Sequence, residues 1–311
     1  MGVLVLFLVS LIVFFSLRLM PGDPVLIYVA GQQGGSSVTP EMLVELRHEY
    51  GLDKSIPVQY ANWVKGIFHG DLGNSIRSHE PVAKSIRRSI PITLVLGFSA
   101  LIISTILGVF LGLVAAIRRG SWIDTVVTLL SYIGLVIPVF VVAYLLIYVL
   151  ILKLHVGLPV TGYHLPWTGS FKSSLLESIL PIICLGTVPI AITARQMRSS
   201  VLEVNNMDYV RTAWSKGLRE RTIVTRHVLK NSLIPVLTMV GMGISMIFGG
   251  SVIEETIFAI PGMGQLLVKA VLNRDYVVIQ GCTLILAAII VFVNLIVDIS
   301  YGWLDPRIRY G

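Results

Sequence analysis

Carboxylates set inside apolar runs are the residues of this chain best placed to do chemistry. Glu254 and Glu255 close one such run. Asp298 lies in another, four residues after Asn294 and so on the same helical face. Ionisable groups at membrane depth mark ion, proton or substrate pathways, because a charge held there is costly to keep. Two roles are open to the glutamates. They can meet a cationic terminus or a metal complex, or they can pair with Arg274 and cap loop backbone. Asp298 sits about a turn and a half from the end of its span, where an interfacial or helix-packing role is equally open.

Other reactive constellations are absent from the sequence. There is no G-x-x-x-x-G-K-[ST], so no nucleotide site is expected on this chain. His48-Glu49 and His79-Glu80 lack the second histidine of a zinc-protease motif, since positions 52 and 83 are Leu and Ala. Cys184 and Cys282 lie in apolar segments and read as small buried hydrophobes. Met239, Met242 and Met246 share a helical face, and gap filling suits them better than soft-metal binding. No cofactor and no metal site is expected, and the chain does not read as an enzyme.

The elements that hold these groups are long and apolar. In 311 residues, 55% are hydrophobic and 13% charged, and the mean hydropathy is +0.83. That composition is a polytopic, all-α membrane protein. The net charge of +7 is no nucleic-acid signal, because its largest short-loop excess sits between apolar spans. Six spans are predicted, at 2–20, 92–117, 123–152, 175–194, 233–257 and 278–303. The first has no basic n-region and no A-x-A site, so it reads as a span rather than a cleaved signal. Arg18 at its end is placed to snorkel to the interface, and Pro21-Gly22-Asp23-Pro24 breaks the helix. Residues 21–90 carry seven basic and seven acidic side chains. They form an external subdomain in which helices are predicted after Pro40 and over 58–68. Gly134 and Pro138 allow a kink in the third span. Gly241, Gly243, Gly249 and Gly250 would let the fifth approach a neighbour closely. A short re-entrant helix is predicted over 265–271.

Between spans four and five, Arg195 to Lys230 carries eight Lys/Arg against Glu203, Asp208 and Glu220. A polar loop with that excess is cytoplasmic. Six spans then place both termini in the cytoplasm, with 1–20 as the first helix, 21–90 outside, and 91–311 as a five-helix core holding a cytoplasmic loop at 195–232. Within the loop, Asp208 is a candidate helix cap and Gly217 a candidate left-handed residue past the helix end. Val210, Ala213 and Trp214 fall at i, i+3 and i+4, on one apolar face. Such a helix either rests on its own bundle or the lipid, or plugs into a soluble partner.

The run DYVRTAWSKG (208–217), followed by RHVLKNSLIP (226–235), resembles the cytoplasmic-loop signature of permease subunits of ABC importers. The match is to the dipeptide, oligopeptide and nickel branch. That branch departs from the general pattern as this chain does, with Arg211-Thr212-Ala213 for Glu-Ala-Ala and Pro235 five residues late. The resemblance extends along the chain to Gly51-Leu52-Asp53, Gln59-Tyr60, Trp63, Gly70-Asp71-Leu72-Gly73, Glu255-Thr256-Ile257-Phe258, Pro261-Gly262, Arg274-Asp275-Tyr276 and Gln280-Gly281.

The resemblance implies the type I importer permease fold with an external helical subdomain after helix 1, in a bacterial or archaeal cytoplasmic membrane. It implies a second homologous permease, two ATP-binding subunits carrying ATP and Mg, and an external substrate-binding protein. Asp208, Tyr209, Arg211, Ala213, Trp214, Gly217, Asn231 and Pro235 would then couple to the ATPase. Glu254, Glu255, Asn294 and Asp298 would be pathway candidates, with Pro261 and Gly262 in an outer loop. Di- or oligopeptides are the expected substrates. Nickel, metallophores and glutathione are alternatives within the family, and an ion-coupled secondary transporter is the rival outside it.

Overall fold

The computed structural model describes residues 2–19 and 40–304, leaving aside the side chains of Pro40, of some residues between 242 and 250, and of 297, 298 and 300–304. Every regular element among the described residues is helical. They fall into two compact units, residues 1–93 with 261–292, and residues 94–260 with 293–311. Pro21-Gly22-Asp23-Pro24, the chain end after Leu304, the pair Met242 and Met246, and the side chain of Asp298 lie outside what is described.

In the first unit, α1 (Gly2–Leu19) is an unbroken apolar run without Gly or Pro after its first residue. Next come α2 (Pro40–Glu49) and α3 (Ile56–Phe68), with Pro57 in the first turn of α3 where its missing N–H costs nothing. The aromatic landmarks dock α3 on α1. Tyr60 OH hydrogen-bonds Ser10 Oγ at 2.9 Å, and Trp63 stacks on Phe14 with ring centroids 5.8 Å apart. Exposed polar contacts flank this core. Lys84 donates to Glu80 and holds that carboxyl below the usual carboxylate range, and His48 does the same for Asp53.

Helix α4 (Val82–Ile117) begins in this unit. Its first residues pack with Leu17, Leu72, Met263, Tyr276, Ile279 and Cys282 in one apolar core. The re-entrant segment expected at 265–271 is helical over Met263–Leu272. Numbered after the elements of the second unit it becomes α10, and the last helix, Tyr276–Leu304, is α11. Gly281 lets α11 approach Val82, whose Cγ1 would stand 2.8 Å from a Cβ added at 281.

In the second unit, α5 (Trp122–Val136) is followed by α6 (Val139–Leu146), which continues as a π-helix through Lys153. The pair bends by 109°. The break falls at Pro138, which cannot donate to the preceding turn. Gly134 instead takes a packing position, 3.3 Å from Ala191 Cβ if a Cβ were added. Helix α7 runs over Phe171–Asn205, eleven residues past the predicted end at Ala194. Met197, Val201 and Val204 carry the apolar stripe onward into the basic stretch, and tertiary burial of that stripe keeps the chain helical. Then come α8 (Asp208–Ser215), a π-segment at Ile223–Val228 and α9 (Leu229–Ile257).

Helix α7 packs against α5 and α9. Close backbone approach, expected at the glycines of α9, is not found at Gly243 or Gly249 but is found at glycines of α4. A Cβ at Gly243 or Gly249 would meet nothing within 4 Å. A Cβ at Gly108 would stand 2.6 Å from Thr193 Cβ, and one at Gly112 would stand 2.7 Å from Met197 Cβ and press on the Ala194 carbonyl. We expect Gly112→Val to cost about 1–3 kcal/mol, because a backbone carbonyl cannot swing aside. A lowered thermal midpoint of the detergent-solubilised chain measures it, and an unchanged midpoint would mean that α4 and α7 separate freely.

Four described helices are long and apolar enough to cross a membrane: Gly2–Leu19, Val82–Ile117, Phe171–Asn205 and the described part of α11, Tyr276–Ile296. Counting the bent α5–α6 pair as one span makes five.

Candidate functional site

Helix α8 is two turns long, and its sequence carries its own stop. Gly217 follows in the left-handed conformation, φ 74°, where a Cβ is strained. Its N–H donates to the Trp214 carbonyl at 2.9 Å, and the Leu218 N–H reaches the Ala213 carbonyl at 3.4 Å. The start differs from the expected cap. Met207 holds the N-cap position, and Asp208 is the first helical residue. Asp208 can still favour the positive end of the helix through its charge, and it makes an exposed pair with Arg211 at 3.7 Å.

The helix is amphipathic, but its faces divide differently from the spacing. Val210 and Ala213 are buried, at 0% and 5% exposure, against Ala116, Met197, Val201, Val204, Ile223 and Val228. Trp214, grouped with them by its i+4 position, is 47% exposed. A two-turn helix docks along a narrow line, and Trp214 falls past its edge. Tyr209, Arg211 and Trp214 are all exposed. The structure brings one further pair of candidates into contact: Asn231 Nδ2 donates to Tyr209 OH at 3.0 Å and to the His227 carbonyl at 2.8 Å. Pro235 lies inside α9, just past the π-segment.

The spacing of residues could not show what braces the helices of this unit. Asp124, buried in the first turn of α5, receives a forked pair of bonds from Arg198 of α7, Nε to Oδ1 at 2.5 Å and Nη2 to Oδ2 at 2.9 Å. The same carboxylate accepts from the Gly120 N–H at 3.0 Å. Forked geometry of this kind fixes orientation as well as charge. The two residues are 74 apart in sequence, so only their side-chain types offered a hint.

Glu254 and Glu255 are buried, at 2% and 1% exposure, near the end of α9. One carboxylate oxygen of Glu254, Oε2, has no hydrogen-bond partner. Asn294 is exposed on α11.

Pro261 and Gly262, expected in an outer loop, precede α10 in the first unit. Gly262 occupies its N-cap, and the next N–H, of Met263, donates to Thr93 Oγ1 at 2.8 Å. Past α10, Arg274 takes a left-handed φ of 53° and delivers Asp275 to the start of α11. Asp275 is buried and accepts from Ser75 Oγ at 2.5 Å, from the amides of Ile76 and Arg77, and from the Val278 amide at 3.3 Å. Arg77 also donates to Asn273 Oδ1. One carboxylate thus ties the 73–82 turn to the head of α11. Sequence reading noted Asp275 as a landmark and missed this role.

The family description "Binding-protein-dependent transport system inner membrane component" matches residues 108–310, and its N-terminal companion matches residues 1–97. The Dipeptide transport system permease protein DppB of Escherichia coli K12 is 38% identical, across 97% of this chain and 94% of its own. A putative peptide transport system permease protein of Brucella abortus is 39% identical, across 98% of this chain and 95% of its own. The fold is also that of the MetNI methionine ABC transporter in an inward-facing conformation, at a TM-score of 0.57 and 15% identity. That match covers 71% of this chain and 96% of the solved one. The chain belongs to the family of binding-protein-dependent transport system inner membrane components, the multi-pass permeases of ABC importers.

Proposed function

We propose that this chain is one permease subunit of an ATP-driven importer of di- or oligopeptides. It forms half of the translocation pathway with a second homologous permease, above two ATPases and beneath an external binding protein. ATP and Mg are held by the ATPases, and the chain itself is not catalytic. The peptide assignment is supported by relatives that carry that description across nearly their whole length. Six spans complete the reading when α9, 29 residues long, is counted with the five. Both termini are then cytoplasmic, residues 21–90 lie outside, and 91–311 form the core. Glu254, Glu255, Asn294 and Asp298 remain the pathway candidates.

The observation that carries the coupling role is the division of α8. Val210 and Ala213 anchor it, while Tyr209, Arg211 and Trp214 are exposed where a partner can reach them. A helix fixed on one face and bare on the other transmits a push instead of absorbing it. The ATPase must contact it differently in its two nucleotide states, since a contact equal in both shifts nothing. Open space at Gly243 and Gly249 on α9 suits a second permease.

Purification from the native membrane in mild detergent tests the reading. The expected result is recovery with a second permease and two ATPases, with ATP hydrolysis stimulated by a peptide-loaded binding protein. A stable lone chain, with uptake that follows an ion gradient and fails on neutralising Asp298, would establish the secondary-transporter alternative instead.

A further inference from the structure

The first unit encloses a cavity of about 380 Å³ where the ends of α1 and α11 meet α3. That is the lower part of the roughly 300–1,000 Å³ range of small-molecule sites. Three residues that line it each carry a buried side-chain nitrogen with no hydrogen-bond partner: Arg18 Nη1, Trp63 Nε1 and Gln280 Nε2. Gln280 is only 3% exposed. A buried donor left unmade costs about 1–3 kcal/mol, so three around one cavity point to an absent acceptor.

The donors are held in place. Arg18 Nε donates to Gln59 Oε1 at 2.9 Å, and Gln59 is itself fixed by donating to the Leu52 and Lys54 carbonyls at 3.3 and 2.7 Å. The guanidinium lies 4.6 Å from the Phe14 ring centroid and 5.8 Å from that of Tyr276. Trp63 stacks on the same Phe14. Arginine and indole N–H groups donate only, so the partner must be an acceptor, and Arg18 makes an anion the best one.

We infer that this cavity is a receptor for an oxyanion, a phosphate or carboxylate held by Arg18, Trp63 and Gln280. Glu49 and Asp71 also line the wall, so a ligand whose negative charge is balanced by an ammonium suits it better than a polyanion. Two sources have this chemistry: the phosphoethanolamine headgroup of a phospholipid and a free amino-acid or peptide zwitterion. The site's place at the ends of two apolar helices puts it at headgroup depth. The exposed flank of α1, with Phe7, Leu8, Ile12 and Phe15, offers acyl chains a surface.

The experiment is native mass spectrometry of the delipidated full chain, titrated with phosphatidylethanolamine, phosphatidylglycerol, diacylglycerol or glycylglycine. Phosphatidylethanolamine retained over the phosphate-free diacylglycerol, and over phosphatidylglycerol, identifies the lipid source. Glycylglycine retained without lipid preference identifies the free zwitterion. Arg18→Gln is expected to weaken either by roughly tenfold or more, the loss of one charged hydrogen bond. Arg18 also braces Gln59, so Trp63→Phe, which keeps an aromatic ring against Phe14 and removes the N–H together with the pyrrole ring, is the second variant. It should weaken retention several-fold, by more than a lowered thermal midpoint of the unliganded chain accounts for. Equal retention of diacylglycerol and phospholipid with no glycylglycine bound, or both variants binding like the parent, would overturn the inference.

Discussion

Gly217→Pro is expected to abolish transport while leaving the chain in the membrane. Gly217 holds φ at 74°, and proline is locked near −65°, so the α8 stop cannot form. The substitution also removes the N–H that bonds the Trp214 carbonyl. Loss of the turn and its bond costs about 3 kcal/mol or more locally. That is enough to tilt or fray a two-turn helix, yet no membrane-embedded packing depends on Gly217, which has nothing within 4 Å of a Cβ added there. Uptake should fall at least tenfold, a loss of about 1.4 kcal/mol or more in coupling. Chain abundance should stay near normal, and basal ATP hydrolysis by the partners should continue. Trp214→Ala, on the exposed face, should reduce uptake without destabilising the chain. Ala213→Glu differs in kind, because Ala213 is buried against α7 and its neighbours. It would drive α8 off its own bundle and lower abundance as well. Normal uptake in the Gly217→Pro variant would remove α8 from the coupling role.

Asp275→Ala is expected to loosen the first unit more than any single apolar truncation there. Its carboxylate serves the Ser75 hydroxyl and three amides at once, all buried or nearly so. Hydrogen bonds to a charged group are worth roughly 1.5–3 kcal/mol each, so losing several should cost about 3 kcal/mol or more even after water replaces some. The effect is local. The 73–82 turn should become open to added protease, while the long apolar helices stay protected. Asp275→Asn keeps the shape and one acceptor oxygen, so its protease sensitivity should fall between that of Asp275→Ala and the parent. If all three chains digest alike, water alone satisfies these donors and the clamp is not structural.

The relation between sequence and structure is clearest in the basic stretch at 195–232. The composition of residues 195–232 announced a basic loop, and Gly217 announced a helix end, because only glycine takes a positive φ without strain. What spacing could not say was which residues of α8 are covered. Val210, Ala213 and Trp214 share a period, but a docked helix buries only the line that meets its neighbour, and Trp214 lies beside it. Likewise Met197, Val201 and Val204 were in plain sight as an apolar stripe. Their effect, eleven more residues of helix in α7, depends on partners far along the chain. The glycines show the same division. Gly243 and Gly249 of α9 looked like contact points and meet nothing, yet Gly108 and Gly112 make a close approach, since a glycine matters only where a neighbour's backbone arrives.

The sequence by itself determined the class of protein, its long apolar helices without their exact ends or bends, the absence of a nucleotide motif, and the family, through motifs whose residues are local. These follow from composition, periodicity and turn chemistry, which act over a few residues. Tertiary structure alone decided the partnerships made at long range. They are the Arg198–Asp124 fork, the Asp275 clamp on Ser75, the outward turn of Trp214, and the three unpartnered donors around one cavity. The physical reason is that a hydrogen bond or a burial depends on where a second residue lies in space. Residues 74 or 200 positions apart leave no periodic trace of their meeting.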